Sequence, residues 1–282
     1  MNTLLLISII TGVAAQNISK KYYTQKAGNT GVYLLSALTT FFAMLFFIIT
    51  TKTFRWVPGM LIYSVLFAVS FLVATLFLTL AIECGSLSLT SLVTSYSLML
   101  PTFYGIIFLK ESVSVFLPFG IVILAVSLFL INKKNEAYTS TPRWFLYVFL
   151  AFLGNGMCSV FQKMQQVKFN GEYKNEFMII ALAVVTVFLF TVSLLKERTS
   201  LKPVMRHIWI PAGISGIMAG IVNLFVMILS ESMSASIMFP LISAGGIIVT
   251  FLISLLVYKE KISKNQLCGF IMGILAIIFL SI

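Results

Sequence analysis

Asn155 and Asn223 stand deep inside long apolar runs of this 282-residue chain, where an amide needs hydrogen-bond partners that hydrocarbon cannot supply. Such residues either tie helices together or line a wet cavity, and the second role could bind a polar solute. Gln162 shares a run with Asn155, and Gln16 and Asn17 close the first run. Thr94, Ser95, Tyr96 and Ser97 make a polar stretch ahead of Pro101 and Tyr104, and Pro240, Ser243, Gly245 and Gly246 interrupt a later run. Each of these two prolines lacks an N–H and so frees a backbone carbonyl inside its run. Freed carbonyls at membrane depth are tolerated where they face protein or a cavity, so they could contact a solute or allow a bend. The expected chemistry is therefore recognition, carried by Asn17, Tyr96, Asn155, Gln162 and Asn223 with the backbone near Pro101 and Pro240. The isolated Ser, Thr and Gly residues are expected to serve close helix packing.

Catalysis would need His, Asp or Glu converging on one place, and no ionisable side chain stands mid-run. Glu83, Glu231 and Lys163 fall at run ends and are expected to be snorkelling anchors. Glu111 and Glu260 each sit beside a lysine in a tight hairpin, where each is expected to cap the helix that follows it. Cys84, Cys158 and Cys268 have no paired spacing, and His207 is the one histidine, so neither a disulfide, a metal site nor a cofactor is expected. The chain is not expected to be an enzyme.

The elements that hold these residues follow from composition. Hydrophobic residues make up 60% of the chain and charged ones 10%, where a soluble domain would carry roughly 25% charged. Lipid must be the solvent for most of this surface. The net charge of +11 comes from Lys and Arg in short connectors, which suits orientation in a bilayer rather than a nucleic-acid partner. Apolar runs long enough to span occupy 3–19, 30–50, 57–82, 87–109, 113–131, 144–165, 176–195, 208–230, 234–257 and 263–281. They do not alternate as barrel strands do, which leaves helices. The apolar N-terminus is expected to be a retained first span, because Met1-Asn2-Thr3 lacks the basic leader of a signal peptide. By alternation, Lys52, Arg55, Lys110, Lys163, Lys168 and Lys174 share one side and the remaining Lys and Arg the other. The richer side is expected to be cytoplasmic, with both termini outside.

A repeat organises the spans. Lys110-Glu111-Ser112-Val113-Ser114 returns as Lys259-Glu260-Lys261-Ile262-Ser263, and Gly120 returns at the same offset as Gly269. Ser86-Leu87-Ser88 is echoed by Ser232-Met233-Ser234. Five spans per half is an odd number, so the halves would insert upside down relative to one another, with a site between them at mid-membrane. The expected fold is an all-α membrane protein of ten transmembrane helices in two inverted five-helix repeats, 1–132 and 143–282, joined by the loop 133–142. Spans five and ten carry almost nothing polar and are expected to be lipid-facing scaffold rather than cavity wall.

Ten spans in two halves, each closing on Leu/Tyr-Lys-Glu-x-Val/Ile-Ser and then Gly, resemble the drug/metabolite transporter superfamily, in its EamA-type ten-helix branch. The resemblance implies a central cavity walled by helices one, three, four, six, eight and nine, with five and ten peripheral. Small multidrug members use a glutamate in the first helix to exchange protons for cationic drugs. This chain has Gln16 and Asn17 there and no carboxylate, so that mechanism is not carried over. The expected function is a multi-pass secondary transporter of the plasma membrane. It would export a small polar or amphiphilic metabolite, amino-acid-like or drug-like, by alternating access. The alternatives are a multidrug or quaternary cation exporter and a lipid-linked head-group flippase. A small-molecule substrate and the lipid bilayer are the expected partners, and the chain is expected to be a monomer.

Overall fold

The computed structural model describes residues 2–27, 30–84, 90, 93–94, 96–111, 114–132, 142–197, 201–256 and 263–281. Among these the chain forms ten α-helices: α1 (Asn2–Ala27), α2 (Val32–Thr50), α3 (Pro58–Cys84), α4 (Met99–Ile107), α5 (Phe116–Asn132), α6 (Pro142–Lys168), α7 (Lys174–Lys196), α8 (Leu201–Ser232), α9 (Ala235–Leu256) and α10 (Lys264–Ser281). A 3-10 turn, Tyr96–Leu98, leads into α4. Among the described residues six helices are long and apolar enough to cross a membrane, at Asn2–Ser19, Val32–Thr50, Pro58–Ile82, Pro142–Lys168, Lys174–Lys196 and His207–Ser232. The apolar stretches of α4, α5, α9 and α10 are shorter.

Each helix falls on one of the ten predicted spans, and the mismatches at their ends have local causes. α1 continues past residue 19 to Ala27, because Ile18–Ala27 contains neither Pro nor Gly to stop it. α8 starts earlier than predicted, at Leu201, with Pro203 in its first turn, where a missing N–H breaks no hydrogen bond. Pro101 lies near the start of α4, just after the 3-10 turn. Pro211 and Pro240 are inside α8 and α9.

The helices form two compact units, Met1–Val69 with Met164–Glu231 and Ser70–Lys163 with Ser232–Ile282. Each unit draws on both sequence halves. In the first, α2 lies against α7, where Thr186 Oγ1 donates to Thr40 Oγ1 at 3.0 Å. α8 meets α2 through Gly216 and Gly220, one turn apart. A methyl at Gly216 would lie 2.6 Å from the Thr39 carbonyl oxygen, and one at Gly220 would lie 2.5 Å from the Phe46 ring. Glycines let the helices approach closely, which matters where lipid gives no hydrophobic force between them. Tyr23, Leu34, Leu35, Leu38, Ile208 and Ala212 fill one core of this unit.

In the second unit α5 pairs with α10, and α9 packs on α10 and α4. Ser127 Oγ donates to the Gly269 carbonyl at 2.6 Å across the α5–α10 contact. Phe119, Val122, Phe129, Ile271 and Ile278 on the same two helices are exposed, an apolar surface suited to lipid. Trp144 at the start of α6 donates its indole N–H to Thr90 Oγ1 at 3.0 Å.

Candidate functional site

A small crevice lies within the second unit. Tyr96, Leu98 and Met99 line it from the entry to α4, Ile121, Leu124 and Leu128 from α5, and Pro240 and Ser243 from α9. The walls are mostly apolar, with one phenol and one hydroxyl among them. The Tyr96 hydroxyl donates to the Ala125 carbonyl of α5 at 2.6 Å, which pins the ring in the wall. α5 was expected to be scaffold only, yet one of its faces borders the crevice. Lipid and crevice are both apolar surroundings, so an all-apolar helix carries no signal of which face meets which.

Ser97, next to Tyr96, joins this wall to α6. Asn155 Nδ2 donates to Ser97 Oγ at 2.6 Å. Pro101 lacks the N–H that would have bonded the Ser97 carbonyl, and Gly156 lets α6 close over that oxygen: a methyl there would lie 2.6 Å from it. The Asn155 amide thus has a packing partner while its residue stays exposed. Pro101 is buried on α4, Pro240 is buried on α9, and Gln162 is 4% exposed on α6. Tyr96 and Pro240 are brought into one crevice; Asn155 reaches it through Ser97. Asn17 and Asn223 belong to the first unit, Asn17 exposed on α1 and Asn223 half-buried on α8. Asn223 Nδ2 donates to the Ala219 carbonyl one turn back, at 2.8 Å.

The charged residues depart most from expectation. Lys163, predicted to snorkel, is 5% exposed. Its ammonium donates to the Met233 carbonyl at 3.0 Å and stands 3.6 Å from Glu111 Oε1, so its charge is met inside the protein rather than by water. Glu111 caps α9 and not the helix that follows it: the Ala235 and Ser236 N–H groups donate to its two oxygens, each at 2.9 Å. Helix N-termini attract carboxylates through their unpaired N–H groups, and the turn after α4 delivers Glu111 to one far along the chain. Glu231 is more than half exposed and pairs with Lys174 at 3.1 Å. The Glu83 side chain and all of Glu260 lie outside the described residues.

Two further polar groups escaped the sequence reading. Glu197, at the end of α7, accepts the Tyr33 and Leu34 N–H groups at 3.0 and 2.9 Å and the Ser193 hydroxyl at 3.0 Å. It is the cap of α2. Burial and, secondarily, the charge of Glu197 push the Tyr23 phenol beside it up to about 12. At the end of α6, Gln165 and Gln166 are both buried; Gln165 Nε2 donates to the Glu172 carbonyl at 2.9 Å, and Gln166 Nε2 to Gln165 Oε1. Three amides and a lysine within Gln162–Gln166 were the available signal. Among the described residues no group of three His, Cys, Asp or Glu side chains comes together to hold a metal.

An all-helical, strongly apolar bundle with these spans is an integral membrane protein. Its residues 142–282, half of the chain, match the EamA-like transporter family, and the chain belongs to that family of membrane transporters. No curated protein matches it. Among solved structures 29 chains match. One, described as the crystal structure of a protein, superposes with a TM-score of 0.82 over 99% of this chain and 95% of its own, at 14% identity. That likeness speaks for the fold.

Proposed function

We propose that this protein is a secondary transporter of the plasma membrane that exports a small polar or amphiphilic metabolite, amino-acid-like or drug-like, by alternating access. All ten helices serve as crossings, in two inverted repeats. The reading rests on family membership and, above all, on one observation: the crevice is walled by Tyr96, Pro240 and Ser243, where two proline-bearing helices meet. Apolar walls with a few placed polar groups suit a solute that is part apolar and part polar. Pro240 leaves the Ser236 carbonyl without its intrahelical donor, so α9 can bend there at small cost as the crevice opens and closes.

The test is export from proteoliposomes loaded with a mixture of amino acids and cationic dyes, with the released solutes identified by mass spectrometry. Release of an amino acid or amphiphile above that from empty liposomes is expected. Asn155→Leu, which removes the bond to Ser97, is expected to raise KM about fivefold, the scale of one lost hydrogen bond near 1 kcal/mol. Release of no solute, or an Asn155→Leu protein with unchanged KM, counts against the reading.

A further inference from the structure

The Glu111 carboxylate is held in place by more than its partners on α9. Lys110 takes a left-handed conformation, φ 52°, which turns the chain sharply out of α4. The Glu111 N–H then donates back to the Gly105 carbonyl at 3.2 Å. Gly105 leaves the space in which the carboxylate lies: a methyl there would be 2.4 Å from Oε2. The carboxylate therefore spans α4, the first turn of α9 and the Lys163 ammonium of α6.

The first turn of α9 has reason to need such a hold. Pro240 cannot donate to the Ser236 carbonyl, so the segment Ala235–Phe239 is joined to the rest of α9 by one hydrogen bond fewer. Its place depends more than usual on what grips its N-terminus. Both N–H groups there point at oxygens, and only a carboxylate offers two acceptors; the amide of glutamine would offer one acceptor and one donor.

We propose that Gly105, Glu111 and Lys163 are positioning residues for transport: they clasp the first turn of α9 and through it set where Pro240 and Ser243 stand in the crevice. This rests on the transporter reading above. The clasp touches no solute. It acts because α9 supplies one wall of the crevice and α4, through its entry turn, supplies another.

The experiment uses the full chain in proteoliposomes, with Cys84, Cys158 and Cys268 changed to Ser and Ser243→Cys as a reporter of the crevice. Maleimide labelling of that position is read beside export of whichever amino acid or dye the wild type releases fastest. Glu111→Gln is expected to change the labelling rate and to raise the KM measured with Ser243 intact, each by roughly tenfold, the scale of a lost bond to a charged group. Gly105→Ala is expected to act the same way, because its methyl displaces the carboxylate. In a Glu111→Ala background Gly105→Ala should add nothing further, and formate should restore the labelling rate by occupying the place of the lost carboxylate. Glu111→Gln and Gly105→Ala are small changes, so the test stands even where Glu111→Ala fails to fold. Unchanged labelling and KM in both, in protein that exports, overturns the clasp. Labelling that responds as stated in protein that moves no solute overturns the transport reading and leaves the hold on α9 intact.

Discussion

Glu197→Ala removes a buried carboxylate that satisfies three donors at once: the Tyr33 and Leu34 N–H groups opening α2 and the Ser193 hydroxyl of α7. Bonds to charged groups are worth about 1.5–3 kcal/mol each, and loss of an N-cap side chain costs about 0.5–2 kcal/mol. The figures overlap, since both count the same N–H groups. Taken together they set the loss at about 3 kcal/mol, large against the roughly 5–15 kcal/mol that holds most domains folded. Thermal unfolding of the purified protein in detergent, followed by loss of the monodisperse peak in size exclusion, should show Tm lowered by roughly 5–10 °C. Glu197→Gln keeps one acceptor and should lose about half as much. Ser193→Ala should cost about 1 kcal/mol alone and nothing in the Glu197→Ala background, because its partner is already gone. A Glu197→Ala protein within about 1 °C of wild type would refute the reasoning, since that is well under 1 kcal/mol.

Gly216→Val drives a side chain into the Thr39 carbonyl and Phe42 of α2; overpacking of about 1–3 kcal/mol should appear as a lower Tm, and a fully stable variant would deny the close approach. For Tyr23 the phenol is raised from 10 to about 12, so its contribution is whole below pH 10 and is lost as pH rises toward 12. The Tm advantage of wild type over Tyr23→Phe should accordingly shrink across pH 10 to 12, and an advantage flat over that range would contradict the assignment. Reporter tags after Gln25 and after Asn170, beyond the first and sixth spans, are expected on opposite faces of the membrane; both on one face would end the inverted-repeat proposal.

The placement of helices was legible because hydropathy and breakers act locally: ten helices among the described residues fall on the ten apolar runs, and ends moved most where Ile18–Ala27 lacked a stop, where Pro203 allowed an early start, and in the fourth run, predicted from 87, whose helix α4 begins at Met99 after the 3-10 turn. The recognition of Tyr96 and Pro240 as neighbours of interest came from the same kind of signal, polar or proline residues in an apolar field. The charged contacts were another matter. Glu111 was read as a cap, correctly in kind, but its helix lies 124 residues on, and nothing in a hairpin sequence names a distant N-terminus. Lys163 looked like an anchor because it stands near a span end; burial beside Glu111 is a tertiary fact. Glu197 passed unnoticed among the connector charges for the same reason. The glycines were visible as small residues, but only the packed backbones show that Gly105 makes room for a carboxylate and Gly216 for a neighbouring helix.

The cap of α2 also bears on how the chain is made. Tyr33 and Leu34 leave the ribosome long before Glu197, which follows 164 residues after Tyr33. At about 5–20 residues per second the opening of α2 waits roughly 10–30 s for its carboxylate. Until then the Tyr33 and Leu34 N–H groups can be met only by water or other transient partners, and α7, the helix on which α2 will lean, is still incomplete. The first unit therefore gains its full hold on α2 only when late synthesis supplies Glu197. Truncated chains ending before residue 197 are natural clients for quality-control proteases, and the missing part supplied as a separate polypeptide should rescue them.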